Sequence, residues 1–287
     1  MRRVWALAVG VWTLASRRHL GLIAAGVAFF SMLSVFPALG FIVALVSLWA
    51  QPDQVVAALE PMADFLPPEA YSLLVEQSSA LASAQPVTLG LTGLLSLAGT
   101  LWSARRGVAA LMRGLRAIHG GRAREKFQDF AVALGLTVAA VGAGATSVVT
   151  MVLLPLSLTL LGPLIPDDSL IPGVLKVARW FVALVVIVLG LGVFYRFGPN
   201  TRAARRGRFL TPGLGLAVVL WAGVSVAFTL FVGAFGNYNE IYGSLGAAIA
   251  LMVWFQLSAY VVLLGAALDK VLALRPRSDE TARPARG

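Results

Sequence analysis

Cysteine is absent from this sequence of 287 residues, and histidine occurs only twice, as His19 and His119. The lack of cysteine excludes disulfide bonds and thiolate metal sites, and two histidines leave little for a zinc site or a His-based triad. Charge is scarce as well, because charged residues make up 13% of the chain where globular domains carry about 25%. The composition therefore excludes a soluble enzyme with a water-facing surface.

Catalytic and nucleotide-binding motifs are also lacking. The sequence has no Gly-x-x-x-x-Gly-Lys loop, no His-Glu-x-x-His and no Gly-x-Ser-x-Gly. Metal-dependent phosphodiester chemistry needs clustered carboxylates or histidines. The carboxylates in the arginine-rich segments are mostly scattered and lie beside arginine or lysine: Glu125, Asp129, Asp269, Asp279 and Glu280. We therefore expect no catalytic residue, no metal site and no cofactor.

Long apolar runs are what the sequence has in excess. Hydrophobic residues make up 59% of the chain, and the mean hydropathy is +0.84. A helix of about 20 apolar residues crosses a bilayer, and a shorter one suffices where cations at its end snorkel. The sequence predicts an all-α polytopic membrane helix bundle with six transmembrane helices, the third broken near Pro155. The six spans are 21–49, 87–104, 130–165, 180–195, 209–235 and 245–268.

The basic residues indicate the orientation of these helices. Of 23 lysines and arginines, all but Lys176 and Arg179 lie in the N-terminal segment, between spans two and three, between spans four and five, or in the C-terminal tail. Cytoplasmic loops carry the excess of lysine and arginine, so we expect both termini in the cytoplasm. The net charge of +10 is mostly a sign of topology.

An N-terminal amphipathic segment precedes the first span. Residues 2–16 are too short to cross a bilayer, and Trp5, Val9 and Trp12 fall on one helical face. This pattern predicts a helix that lies in the membrane interface. We expect it to belong to a single membrane domain over residues 1–275.

A second amphipathic segment lies between the first two spans. Residues 51–86 contain five acidic residues and no lysine or arginine, and two helical patterns are split at Pro67 and Pro68. We expect two helices that lie on, or cap, the outer face of the bundle. At the other end of the chain, residues 276–287 are predicted to form a disordered cytoplasmic tail.

The third amphipathic segment, residues 105–130, is basic. Val108, Met112 and Leu115 belong to an apolar stripe at helical spacing. A basic amphipathic helix lies at a membrane surface and attracts anionic headgroups, although positive-inside topology alone accounts for the same charges. RNA would also use them, but no aromatic platform is interleaved for base stacking, and we expect no nucleic-acid partner. The predicted lipid contacts are Arg105, Arg106, Arg113 and Arg116.

Polar residues within and between the apolar runs predict a path through the membrane. Pro37 and Pro155 break helices at membrane depth, where freed carbonyls must face protein or a wet cavity. The stretch "NYNEIYGSLGA" (237–247), between the last two spans, is typical of a capped turn, but a turn does not need the carboxylate of Glu240. The predicted path residues are Ser31, Ser34, Pro37, Asn237, Tyr238, Asn239, Glu240, Tyr242 and Gly243.

Six stretches of the sequence, in order along almost the whole chain, carry a family resemblance. They are "AAGVAFFSMLSVFPAL" (24–39), "LWSARRGVAAL" (101–111), "YRFGPN" (195–200), "TPG" (211–213), "NYNEIYGSLGA" (237–247) and "LLGAALD" (263–269). Together they resemble the YihY/BrkB-like family of bacterial inner-membrane proteins. The resemblance implies six helices, both termini inside and an inner-membrane location.

The functions that the resemblance implies differ from one another. Some family members have carried the name ribonuclease BN, others are tied to serum resistance, and some are proposed to export envelope lipids. This sequence departs from the family pattern at 114–119, where Ala-Leu-Asn-x-Ile-Tyr is usual, and at Ala267, where glutamate is usual. A mechanism that depends on that glutamate does not carry over to this chain.

The leading hypothesis is a non-enzymatic inner-membrane protein that moves or hands over a lipid or other amphiphile. The basic segment would gather an anionic headgroup, which would pass Ser31, Ser34 and Pro37 and leave by Asn239 and Glu240. Without an ATP-binding motif, the energy would come from a gradient, a partner or mass action. The alternatives are a membrane scaffold that docks an envelope partner through segment 51–86 and, as the least favoured, a tRNA-processing ribonuclease.

Overall fold

The computed structural model of the protein describes residues 2–46, 86–161, 171–234 and 244–274. Within these residues every regular element is helical, which confirms the all-α class. The helices are α1 (Arg2–Arg17), α2 (Leu20–Val46), α3 (Pro86–His119), α4 (Lys126–Leu161), α5 (Ile171–Phe197), α6 (Arg202–Arg206), α7 (Pro212–Ala234) and α8 (Ser244–Ala273).

Several helices are long and apolar enough to cross a membrane. Among the described residues these stretches are Lys126–Gly144, Pro212–Phe231 and Ala248–Ala273, and the pair α1–α2, bent by 63°, adds a fourth if it forms one span. The bend lies at His19, whose backbone φ is 50°. The structure therefore supports three or four spans, and six helices with both termini inside remain a prediction.

The outer surface of the bundle is apolar, because most helices are hydrophobic on all sides. Such a helix is either buried in protein or surrounded by lipid. Large hydrophobic side chains that face outward include Leu22, Leu95, Phe181, Val219 and Leu230. Helix α1 is less apolar than the other long helices, because it has arginines at both ends. Its exposed face carries Trp5, Val9 and Trp12, and its location in the membrane interface remains a prediction.

The core of the bundle is formed mainly by α2, α3, α5, α7 and α8, with smaller contributions from α1 and α4. Leu20, Met112, Leu115, Leu214 and Leu263 are fully buried in it. The most extensive helix contact is between α2 and α3, while α8 packs against α7 and α2. Ala24 and Ala28, two small residues of the first predicted span, are buried in this core as well.

The apolar stripe of the basic segment does not face a membrane surface, and that prediction is wrong. Helix α3 continues without interruption to His119, so the stripe enters the bundle. Met112, Leu115 and Ile118 are buried, and a Cβ placed on Gly114 would lie 2.7 Å from Leu263 Cδ2 on α8. No proline follows Pro86 in α3, so the apolar second span and the arginine-containing segment after it form one continuous helix.

The predicted breaks at proline are also wrong. Helix α2 runs through Pro37 to Val46, and α4 runs through Pro155 to Leu161. A proline removes one backbone donor and kinks a helix, but membrane helices tolerate it when neighbouring groups satisfy the freed carbonyl. Here both helices continue beyond the proline.

Three predicted segments lie outside the described residues, wholly or almost so. They are the acidic segment 51–86, most of the loop 237–247 and the tail 276–287. The expectations for these segments remain predictions.

Candidate functional site

Three of the stretches that carry the family resemblance meet at one end of the bundle. "YRFGPN" (195–200) closes α5, "TPG" (211–213) opens α7, and "LLGAALD" (263–269) lies near the end of α8. The ends of α3 and α8 join them, because Lys270 Nζ donates to the carbonyl of His119 at 3.4 Å. We call this meeting of helix ends the junction.

Asp269 connects α8 to the first turn of α7. Its Oδ2 accepts from Thr211 Oγ1 at 2.6 Å, and its Oδ1 accepts from the Gly213 N–H at 2.7 Å. Thr211 Oγ1 in turn accepts from the Leu214 N–H at 3.1 Å, which is the bond that an N-cap threonine makes. Pro212 fits the first helical position, where no N–H is needed. The carboxylate stands at the positive end of the α7 dipole, where a negative charge is stabilised.

Glycine lets α7 and α8 approach to backbone contact at the junction. A Cβ on Gly213 would overlap the carbonyl O of Gly265, and a Cβ on Gly265 would overlap the carbonyl O of Gly213. Helix α5 is bound to the same place, because the buried Tyr195 hydroxyl donates to the Val262 carbonyl at 2.5 Å. Three helices are thus held together by short polar contacts along the last turns of α8.

A cavity of about 260 Å³ lies beside these contacts, and we call it the junction pocket. Three cations line it, Arg196, Arg208 and Lys270, and the only carboxylate in its lining is Asp269. Its apolar wall includes Phe209. The pocket therefore carries a surplus of positive charge beside an apolar surface.

A second cavity of about 590 Å³ lies next to the junction pocket, and we call it the side cavity. Leu210, Pro212 and Leu272 form its apolar lining. Arg208, Thr211 and Asp269 line both cavities, so the Thr211–Asp269 hydrogen bond stands in their common wall.

His119 lines the junction pocket at the end of α3. Burial lowers the pKa of its imidazole below the ordinary value of 6.5, because a buried site disfavours the charged form. Its ring Nδ1 lies 3.1 Å from the Leu115 carbonyl oxygen. The ring is therefore neutral near pH 7 and adds no charge to the pocket.

The loop between α3 and α4 adds a cluster of arginines next to the junction. Arg116 on α3 forms an ion pair with Asp129 on α4, and Arg124 Nη1 lies 3.7 Å from the same carboxylate. Arg124 also donates to the Phe197 carbonyl, and burial lowers the pKa of its guanidinium. Asn200 Nδ2 donates to the Arg122 carbonyl at 3.0 Å, which joins this loop to the end of α5.

The four arginines predicted to contact lipids have different surroundings. Arg106 stacks 3.9 Å from the centre of the Trp102 ring, and Arg105 lies 4.5 Å from the centre of the Phe130 ring. Both rings are exposed. Arg113 is exposed, whereas Arg116 is only 12% exposed and pairs with Asp129. The first three face outward, and Arg116 holds α3 to α4.

The predicted path residues on α2 face a closely packed helix. A Cβ on Gly107 of α3 would lie 3.6 Å from Ser31 Oγ, and one on Gly99 would lie 3.5 Å from Pro37 Cβ. Ser34 Oγ donates to the Ser31 carbonyl of its own helix at 2.7 Å. The described structure therefore has a helix contact where the sequence predicts an opening. The other predicted path residues, Asn237, Tyr238, Asn239, Glu240, Tyr242 and Gly243, lie outside the described residues.

Sequence reasoning missed the junction as a site. In that reasoning Tyr195 and Thr211 appear only as parts of stretches that carry the resemblance, and Asp269 appears also as one of the scattered carboxylates. Arg196 and Arg208 count among the basic residues that indicate topology. The available signal was a polar residue at the end of each apolar helix, since such residues cap or connect helix ends. Within the part of the chain that the structure describes, no group of three or more His, Asp or Glu residues could hold a metal ion.

Comparisons with known proteins agree on a family of membrane proteins. A family model described as "Virulence factor BrkB" matches residues 11–287. A ribonuclease-like protein of Bacillus subtilis, YfkH, is 30% identical over 261 residues, which are 88% of this chain and 90% of that protein. No solved structure matches the chain.

Shorter matches connect the chain to UPF0761 membrane proteins. The one from Idiomarina loihiensis is 31% identical over 101 residues, or 35% of each chain. One from Xanthomonas campestris is 41% identical over 93 residues, and the match covers 32% of this chain and 20% of that protein. These relatives and the apolar helices make this a multi-pass inner-membrane protein. Because the family model covers nearly the whole sequence, the chain belongs to the BrkB (YihY/BrkB-like) family.

Proposed function

We propose that this protein binds an amphiphile with an anionic headgroup and hands it over across the inner membrane, without hydrolysing ATP itself. The observation that carries the proposal is the pair of adjoining cavities at the junction. One is lined by Arg196, Arg208 and Lys270, and the other by Leu210 and Leu272. A charged lining beside an apolar lining suits a molecule with a charged head and an apolar chain.

The proposal includes six transmembrane helices with both termini in the cytoplasm. Lysine and arginine collect on the cytoplasmic side of membrane proteins, so this orientation puts the junction at the cytoplasmic leaflet. There the stacked pairs Arg105–Phe130 and Arg106–Trp102 lie at headgroup level. Such residues attract anionic lipids at about 1 kcal/mol per arginine or lysine. They would concentrate the amphiphile near the junction pocket.

Handover also requires a movement of helices. Ser31 and Pro37, on the predicted path, lie against Gly107 and Gly99 of α3, so this contact must open for a headgroup to pass. Among the described side chains, Ser31, Ser34 and Pro37 make no hydrogen bond to α3, so the helices can separate at these residues without breaking one. Asn239 and Glu240 remain the predicted exit on the other side.

The test is translocation of fluorescent phospholipids in proteoliposomes. Arg208→Gln removes a cation shared by both cavities, and Arg206→Gln removes one from the same exposed segment that lines neither cavity. We expect wild type and Arg206→Gln to exchange lipid faster than protein-free vesicles. Arg208→Gln should be slower by about tenfold, since a hydrogen bond to a charged group contributes about 1.5–3 kcal/mol.

A wild-type rate equal to that of protein-free vesicles, with and without an imposed pH gradient, would contradict the proposal. The scaffold hypothesis is then tested by deleting residues 51–86 and measuring co-purification of an envelope partner. RNA cleavage is the other alternative, because of the name that the Bacillus relative carries. Incubation of purified protein with structured RNA and Mg²⁺, Mn²⁺ or Zn²⁺ measures it directly.

A further inference from the structure

The net positive charge of the junction pocket is larger than a single negative charge on a headgroup can neutralise. Arg196, Arg208 and Lys270 face one carboxylate, that of Asp269, which leaves two positive charges. His119 contributes none, because its buried ring is neutral. A site with this surplus matches a dianion better than a monoanion or a zwitterion, whose own cation the pocket would repel.

Asp269 is already engaged and does not pair with the three cations. Both of its carboxylate oxygens accept hydrogen bonds from α7, from Thr211 and Gly213. Among the described residues, the ion pairs of the structure are those of Asp129 with Arg116 and Arg124, so Arg196 and Arg208 are left without an acidic partner. The pocket therefore has cationic donors in excess of its own acceptors.

We propose that the junction pocket binds the phosphate monoester headgroup of a lipid whose chain lies in the side cavity. A phosphate monoester carries about −1.5 to −2 charge at pH 7 and three strong acceptor oxygens. Arginine binds such a group through two parallel N–H donors, and lysine binds it as a point charge. A phosphodiester headgroup, with one charge, leaves one of the two surplus cations unpaired.

The side cavity determines where the chain of such a lipid lies. Arg208, Thr211 and Asp269 line both cavities, so a phosphate bound at Arg208 stands at the opening between them. Leu210, Pro212 and Leu272 supply the apolar surface of the side cavity beside Arg208. Leu210 is 66% exposed, so this apolar surface reaches the outside of the bundle.

The inference rests on the proposed function only in taking the ligand to be a lipid, and its test is binding rather than transport. Native mass spectrometry of the full chain in detergent would measure the affinities of phosphatidic acid, phosphatidylglycerol and phosphatidylcholine. We expect phosphatidic acid to bind about tenfold more tightly than phosphatidylglycerol, the effect of one additional charged hydrogen bond. Arg208→Gln and Lys270→Gln should abolish this preference, while Arg206→Gln should retain it.

Equal binding of phosphatidic acid and phosphatidylglycerol to the wild type would overturn the inference, even if translocation proceeds. Selective binding of phosphatidic acid without any translocation would support it and contradict the proposed function instead. Glycerol 3-phosphate separates lipid from free phosphate monoester. If it competes with phosphatidic acid at equal concentration, the ligand is a soluble phosphate ester, and the assignment of the side cavity to a lipid chain is wrong.

Discussion

Two glycine-containing helix contacts of this protein are held in different ways. Where α2 meets α3, a Cβ added to Gly107 or Gly99 would lie 3.6 Å from Ser31 Oγ or 3.5 Å from Pro37 Cβ, which is ordinary van der Waals contact. Where α7 meets α8, Gly213 and Gly265 bring the backbones into direct contact, and Asp269 bonds across the contact. Among the described side chains, the first contact is held by packing and by Arg106 over the Phe30 ring at 5.8 Å, whereas the second also has hydrogen bonds between helices.

The hydroxyl groups at the two contacts also differ in where their hydrogen-bond partners lie. Ser34 on α2 and Ser103 on α3 each donate to a carbonyl of their own helix, so they do not join the two helices. Thr211 and Tyr195 donate to α8 from α7 and α5. Helices in lipid associate without a hydrophobic driving force, through close packing and hydrogen bonds between helices. We infer that these hydrogen bonds fix the register of three helices at the junction.

Gly265→Ala and Gly107→Ala give the largest expected contrast between the two contacts. A Cβ on Gly265 overlaps the Gly213 carbonyl and lies 2.5 Å from Tyr195 Oη, so α8 would be pushed away from two helices. We expect a loss of about 3 kcal/mol in the free energy of unfolding. Gly107→Ala meets no atom closer than 3.5 Å and should be neutral or stabilising by up to about 1 kcal/mol. Thermal unfolding in detergent measures both.

Equal unfolding temperatures for these two variants would contradict the comparison. A protein in which Gly107→Ala unfolds first would have its tightest contact between α2 and α3, and the movement proposed for handover would then be misplaced. The two substitutions form a matched pair, because each adds one methyl group to a glycine inside a long helix.

Asp269→Asn is expected to have the next largest effect. The amide keeps the size of the side chain but loses the charge, and one of the two donors, the Thr211 hydroxyl or the Gly213 N–H, then faces an NH₂ group. Hydrogen bonds to charged groups contribute about 1.5–3 kcal/mol, so we expect a loss of about 2 kcal/mol. Its counterpart in the other contact, Ser34→Ala, should change the stability by less than about 0.5 kcal/mol.

An Asp269→Asn protein as stable as wild type would show that the carboxylate does not hold α7 to α8. The charge of Asp269 would then matter only to the ligand of the junction pocket. Measuring phosphatidic acid binding by the same variant distinguishes the two roles, because loss of a structural bond lowers the unfolding temperature without ligand.

Periodicity in the sequence predicted which residues share a helical face but not what covers that face. The stripe of Met112 and Leu115 was placed correctly on one side of a helix, but both residues are buried in the bundle rather than at a membrane surface, with Leu115 beside Gly198. Small residues show the same limit, since Ala24 is buried in the core while a Cβ added to Gly135 would face open space. Both positions lie in apolar runs rich in alanine and glycine, and only the assembled bundle separates them.

The junction was beyond sequence reasoning for a related reason. The residues that it joins are far apart in the chain: the residue numbers of the bonded partners differ by 58 for Thr211 and Asp269 and by 67 for Tyr195 and Val262. Local patterns give helix ends and charges, which is why the all-α class and the apolar spans could be predicted. Which helix ends meet depends on how several helices pack together, and the amino-acid composition does not reveal this packing.

Tyr195→Phe gives the smallest expected effect and the finest test of the comparison. The variant keeps the buried ring and loses one hydroxyl that joins α5 to α8 through the Val262 carbonyl. Hydrogen bonds between helices in membranes contribute about 0.6 kcal/mol on average, and the carbonyl keeps its partner within α8, so we expect a loss of that size. Ser103→Ala removes an equally buried hydroxyl that bonds only within α3, and it should cost less than Tyr195→Phe.

The order of these two variants decides whether a bond between helices stabilises the bundle more than a bond within one. If Ser103→Ala proves the more costly in thermal unfolding, then the burial and packing of a hydroxyl affect stability more than the location of its hydrogen-bond partner. The junction is then held by the Gly213–Gly265 contact and the Asp269 hydrogen bonds, with little contribution from Tyr195. If Tyr195→Phe is the more costly, α5 is held at the junction by its own hydrogen bond. In the proposed handover, the wall of the junction pocket that carries Arg196 would then stay in place while α2 and α3 separate.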